Sequence, residues 1–518
     1  MAKTDRAAST PVSSGRIRLA HMLLGLICFL SGASVMVVEI SANRLLAPIF
    51  GNSVYTWTSL IGVVLICFSV GGYLGGWLTD KKTDFALLGW LLAGSGVMTL
   101  FVPQLFAIFG PANENAGLIM GPLIVSSLLL AVPGVLLGAV SPASVRLFSA
   151  LQKDAHVGQA AGTISMWGSL GSFVGTFLSG FYLLSAFGVK AIFLGTGLLL
   201  ILLASAAFFL ARNKLMDHVP IWISGGLAAL IGGSAELKAA ENVLFQHESV
   251  YHRVQVTQSG TGQFAQRFLQ LDSTMEGGME AESGNLILEY QHYWQVPMLK
   301  DGFELNRALF LGAGAFGMPE QVSRQWPDSK VDVVEIDPVV IEVGRKFFKL
   351  SEFPNVQAHA GDARRFIRQT GERYDLIFGD AYNGVQAIPV HLASREFFAQ
   401  VKSRLTAHGI FVMNVISAVE GPRSELLAGM IATLKEVFPH VALCAVGGAR
   451  SDAQNAILVA TQEDWEPLFM RNDYERGSWQ DRLTRRFVPE FRRPKNGVVF
   501  TDDHNPVDAI IARGLRAD

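Results

Sequence analysis

The chain has 518 residues, too many for one compact core, and half of them are hydrophobic. Charge is divided unevenly: residues 1–235 hold 12 of the 42 Lys+Arg and 7 of the 44 Asp+Glu, and residues 236–518 hold the rest. The nearly uncharged first part is suited to a bilayer, while a net-acidic second part without basic clusters excludes nucleic acid as an expected partner. Three cysteines, Cys28, Cys67 and Cys444, offer neither a disulfide framework nor a zinc spacing.

Residues 1–18 read as a polar tail ahead of an uncleaved anchor, and residues 19–235 as a transmembrane helical domain. Six apolar runs, near 19–40, 54–78, 86–109, 117–140, 161–187 and 189–211, reach the roughly 20 residues that a bilayer crossing needs. A seventh, near 219–235, is shorter and glycine-rich. Lys3, Arg6, Arg16 and Arg18 precede the first run, Lys81 and Lys82 follow the second, Arg146 and Lys153 the fourth, and Arg212 and Lys214 the sixth. The opposite connections carry only Arg44 and Lys190, so the positive-inside bias predicts a multi-pass protein of a bacterial-type inner membrane with a cytoplasmic N-terminus. A spanning seventh run would put the second half outside the cytoplasm and an interfacial one would leave it inside, which is the arrangement expected. Glycines around 71–76 and 168–171 predict close helix packing.

Residues 236–304 are expected to form a β-hairpin region, from 249–256 and 267–272, followed by a helix covering a ligand cleft. From 305 to 518, short apolar strands alternate with amphipathic helices, the pattern of a doubly wound parallel sheet. Strands are predicted at 308–311, 331–335, 356–360, 374–379, 409–415 and 456–460, with helices at 338–350 and 394–405. The expected fold class is therefore an all-α transmembrane bundle fused to an α/β Rossmann-like domain.

Ligands of such sheets bind beyond the carboxyl ends of the strands, and the informative residues fall there. Gly312, Ala313 and Gly314 open a glycine loop directly after the first strand; glycines let backbone N–H groups approach a ligand closely. Glu335 ends the second strand, where a carboxylate can accept both ribose hydroxyls. Asp337 precedes Pro338 and suits a helix cap as well as a ligand contact. Asp362 and Ala363 follow the third strand, where an Asp can receive an adenine amino group. Asp380 follows the fourth. No residues show metal-ligand spacing.

Six segments in this order resemble the spermidine synthase family, in its form fused to a membrane domain. They are Ser249-Val250-Tyr251-His252-Arg253-Val254-Gln255-Val256, Leu269-Gln270-Leu271-Asp272, the glycine loop, Val334-Glu335-Ile336-Asp337, Gly361-Asp362-Ala363 and Asp375-Leu376-Ile377-Phe378-Gly379-Asp380. The resemblance implies a class I S-adenosylmethionine-type fold without a tightly bound cofactor. The co-substrate would be S-adenosylmethionine or its decarboxylated form, an amine the acceptor, and 5′-methylthioadenosine the product. Homo-oligomers are common in that family. Asp380 matches the family's catalytic acid position, Glu335 its ribose ligand and Asp362 its adenine ligand. Tyr251 and His252 are further catalytic candidates, and Tyr290, His292, Tyr382 and Asn383 candidates for the substrate pocket.

The sequence also departs from the family. Ala315 replaces an Asp that pairs with the aminopropyl ammonium, His252 replaces a Gln, Leu286-Ile287 replace an Asp-Glu pair, and Asn383 replaces a second Asp. These losses leave room for a substrate carboxylate, hence for intact S-adenosylmethionine. The chemistries left open are alkyl transfer to an amine, intramolecular displacement giving a lactone, ordinary methyl transfer, and a catalytically dead nucleoside sensor regulating the bundle.

Overall fold

The computed structural model describes residues 14–51, 54–81, 83–113, 116–151, 157–211, 226, 242–272, 274–382, 388–471, 473–489 and 498–514. The expected seventh run and Asn383 lie outside the described residues. The chain divides into two compact units, the first built from the apolar helices and the second mainly from residues 237–518.

Among the described residues, five helices are long and apolar enough to cross a membrane: Ile17–Phe50, Val54–Lys81, Phe85–Ala112, Ile119–Leu151 and Val189–Leu210. That corrects the expectation of six. The run near 161–187 is instead a helix, Val157–Leu178, continuing into a π-helical turn, Ser179–Leu183. It is rich in glycine, serine and threonine.

These small residues set the packing. A Cβ on Gly171 would fall 1.8 Å from the Phe29 carbonyl oxygen, and one on Gly175 2.4 Å from that of Ala33. Gly71 meets the Val135 carbonyl in the same way, whereas Gly72 and Gly76 face open space. Backbones thus approach within contact distance on one face of each helix. Leu65, Ile66, Phe173, Phe181 and Phe209 are all more than half exposed, an apolar surface of the kind that hydrocarbon covers.

In the second unit, four antiparallel strands form a small sheet in sequence order: β1 Val243–Glu248, β2 Arg253–Ser259, β3 Gln266–Leu271 and β4 Thr274–Glu280. The predicted hairpin is the middle pair of this sheet. A 3-10 helix, Glu289–Leu299, follows where a covering helix was expected.

The larger sheet has seven strands: β5 Arg307–Leu311, β6 Lys330–Glu335, β7 Val356–Ala360, β8 Tyr374–Gly379, β9 Leu405–Ser417, β10 His440–Val446 and β11 Gln454–Thr461. Their order is β10-β11-β9-β8-β5-β6-β7, with β5 to β9 parallel and the β10–β11 pair antiparallel at one edge. Side chains alternate between the faces: Phe310 and Phe378 stack at 5.8 Å in one core, while Leu309, Leu311 and Ile377 enter the other. Burial on both faces explains why these strands read as continuous apolar runs. The order reverses between β5 and β8, which opens a crevice at their carboxyl ends.

Candidate functional site

A cleft at this crevice is lined by the ends of β5, β6, β7 and β8 and by His252, Leu271 and Glu276 from the small sheet. Its floor is the turn after β5. Gly312 has φ +95°, and a Cβ there would stand 2.2 Å from the Asp380 carbonyl oxygen, so only glycine lets the turns after β5 and β8 touch.

Glu335 is buried at the end of β6 and accepts backbone N–H bonds from Ala313 (3.1 Å) and Asp337 (2.9 Å), one on each carboxylate oxygen. Each oxygen keeps a second lone pair for a ligand hydroxyl. Burial pushes its carboxyl up while the two backbone donors pull it down. Asp337 is fully buried, caps the helix Pro338–Phe347 by accepting from Val339 N–H (3.0 Å), and takes the Ser249 hydroxyl on its other oxygen. Its side chain is occupied in joining the two sheets.

Asp362 caps the helix Ala363–Gln369 through Arg365 N–H (2.7 Å) and pairs at 2.9 Å with the imidazole of His391, which also lines the cleft. The 3-10 turn Val390–Leu392 that carries His391 is braced from outside. Arg364 donates to the His391 carbonyl (3.1 Å) and forms a forked pair with Asp502 (2.7 and 2.6 Å); Asn505 donates to the Val390 carbonyl (2.7 Å).

Asp380 receives the Asn414 amide on one oxygen (2.9 Å) and the Tyr290 hydroxyl on the other (3.2 Å). Burial raises its carboxyl from 3.8 to about 6, against the pull of these two donors. Asn414 is held in turn by Asn455 (3.0 Å). Tyr382 donates to the Asn414 carbonyl (2.8 Å) and accepts from Ile416 N–H (3.0 Å), so its ring is fixed beside the acid. His252 pairs with Asp272 at 3.0 Å.

The structure therefore brings together His252, Gly312, Ala313, Gly314, Glu335, Asp362, Ala363, Asp380 and Tyr382 in one cleft, with Tyr290 bonded to the acid. It does not bring Tyr251, which is 40% exposed, or His292 among the lining residues. Three lining or supporting residues escaped the sequence reading. Asn414 is a polar residue inside an otherwise apolar strand, a signal that was available. Glu276 lies four residues beyond the Leu269–Asp272 motif. His391 carries no local signal. Among the described residues no group of three or more His, Cys, Asp or Glu is placed to hold a metal ion.

A glycine turn, a buried strand-end carboxylate and an acid at the point of reversal mark a Rossmann-like domain. Residues 293–447 match the spermine/spermidine synthase domain. The chain is 37% identical over 136 residues to the polyamine aminopropyltransferase of Vibrio vulnificus (strain CMCP6), a match covering 26% of this chain and 44% of that protein. The chain thus spans less than half of that relative's length. Polyamine aminopropyltransferase 2 of Aquifex aeolicus (strain VF5) is 23% identical over 438 residues, covering 80% of this chain and 82% of the relative. The crystal structure of spermidine synthase from Thermotoga maritima aligns with a TM-score of 0.37 at 18% identity, over 48% of this chain and 84% of that one.

Proposed function

We propose that the C-terminal unit binds a sulfonium nucleoside, S-adenosylmethionine or its decarboxylated form, and cleaves the alkyl–sulfonium bond to release 5′-methylthioadenosine. The observation that carries this reading is the Asp380 carboxylate, held by Asn414 and Tyr290 in the same cleft that Glu335 lines. In the transfer, an amine lone pair forms a C–N bond to the alkyl carbon while the C–S electron pair passes to sulfur. The nucleoside leaves as a neutral thioether, and the new ammonium gives its proton to Asp380. Sulfonium is already a good leaving group, so positioning and one proton acceptor suffice.

The test is to incubate the purified full chain with S-adenosylmethionine or decarboxylated S-adenosylmethionine, with and without putrescine, and to identify the nucleoside by mass spectrometry. Methylthioadenosine is expected, and Asp380→Asn should lower its formation by at least about 100-fold. Product formed without amine would assign intramolecular displacement. S-adenosylhomocysteine as the sole product would replace the reading with methyl transfer, and no product from either nucleoside would overturn it. Because Asp380 acts ionised and its carboxyl is raised to about 6, kcat/KM should fall as pH drops through 6 and level off above about 7.

A further inference from the structure

Five carboxylates, Asp272, Glu276, Glu335, Asp362 and Asp380, gather at or beside the cleft, and none of the described lining residues is a lysine or arginine. Four of the five are satisfied within the protein, Asp362 by Arg365 N–H and the His391 imidazole. Asp272 is held by His252 and Arg253 N–H, Glu335 by two backbone N–H groups, and Asp380 by Asn414 and Tyr290. Glu276 differs: one of its carboxylate oxygens is buried and has no hydrogen-bond partner in the protein. Its place is fixed by backbone packing. A Cβ on Gly314 would stand 2.8 Å from the Glu276 carbonyl oxygen, and one on Gly277 2.8 Å from Ala315 N, so β4 lies directly over the glycine loop.

A buried, unpaired carboxylate is costly unless a ligand supplies the missing donor and charge. We propose that Glu276 recognises a protonated primary amine of the substrate, an assignment that rests on the sulfonium-nucleoside reading above. The amine belongs either to the alkyl chain on the sulfonium or to a free diamine acceptor; both present the same ammonium to the same oxygen. In this reading a carboxyl from the strand above the loop takes the place of the acids missing at Ala315 and Leu286-Ile287.

Protonation supplies a second signature. Burial, then Asp380, Glu335 and Asp272, raise the Glu276 carboxyl to about 8, and the hydroxyls of Tyr290 and Tyr382 share the same field. At pH 7 the empty cleft holds Glu276 protonated, and an incoming ammonium takes the ionised form. Amine binding therefore releases a proton and tightens as pH rises from 7 toward 9, below the range where an alkylamine itself loses its charge.

The experiment is calorimetric titration of the full chain in detergent, wild type against Glu276→Gln. The ligands are methylthioadenosine, decarboxylated S-adenosylmethionine, and putrescine added to protein saturated with methylthioadenosine. Glu276→Gln should weaken one of the amine-bearing ligands roughly 10- to 100-fold and abolish its pH dependence, while methylthioadenosine changes by less than about two-fold. Loss confined to the decarboxylated nucleoside places the amine on the donor; loss confined to putrescine places it on the acceptor. If both amines bind the variant as they bind wild type, the inference is overturned and the nucleoside reading stands. If wild type fails to bind methylthioadenosine, the nucleoside reading falls and takes this inference with it.

Discussion

Asp380 sits between two donors of different character. Tyr290 is a phenol whose own ionisation is suppressed by burial and by Asp380, so it remains a donor across the working range. Asn414 donates an amide that cannot titrate, and Asn455 orients it. Both bonds favour the charged form of the acid and oppose the burial that disfavours it. Asn414→Leu should therefore raise the Asp380 pKa further, moving the acid limb of kcat/KM upward by about one pH unit. A pH–rate profile checks this. A fall in rate at every pH without a shifted limb would show that Asn414 acts on geometry alone.

The turn bearing His391 shows how an element is fixed by residues distant in sequence. The terminal loop around Asp502 is a turn, closed by Thr501 N–H to the His504 carbonyl at 3.0 Å, and it also clamps Arg364 against that turn. Asp502→Ala should release the clamp, raise KM for the nucleoside by roughly 3- to 10-fold and leave kcat within about two-fold, because the clamp acts on binding geometry and not on the acid. Elements themselves were unequally legible. The strand at 374–379 is found where the apolar run places it, because a strand buried on both faces has no choice of composition; the one at 356–360 is also found, although it is a partly exposed edge strand. β10 went unseen because it is an edge strand with a half-exposed alternation. β4 went unseen because Gly277 and Gly278 make it a poor strand by composition; pairing with β3 and close approach to the glycine loop decide its conformation. Glu276 was hidden with it. Strand-end residues Glu335, Asp362 and Asp380 were legible because topology alone assigns strand ends to the cleft. Residues reaching in from the other sheet, and Asn414 acting through Asp380, depend on tertiary placement that no local pattern encodes.

For the protein as a whole, five helices with largely apolar exposed surfaces predict firm membrane association. In fractionated cells the full chain should stay in the membrane pellet after alkaline carbonate washing and enter solution only with detergent. Release by carbonate would mean that the helices pack against another protein surface and not against lipid. The sixth expected span shows where counting apolar residues stops being informative. In Val157–Leu178, glycine serves helix-to-helix approach, and the apolar run is divided between this helix and the π-helical turn that follows it.

The stretch that matches the synthase domain begins at residue 293, after the small sheet has ended at Glu280. Glu335, Asp362 and Asp380 lie inside that stretch, while His252, Asp272, Glu276 and Tyr290 lie ahead of it. If Glu276 recognises the amine as proposed, a change within β4 alone would alter which amine is held and leave Asp380 and its two donors untouched.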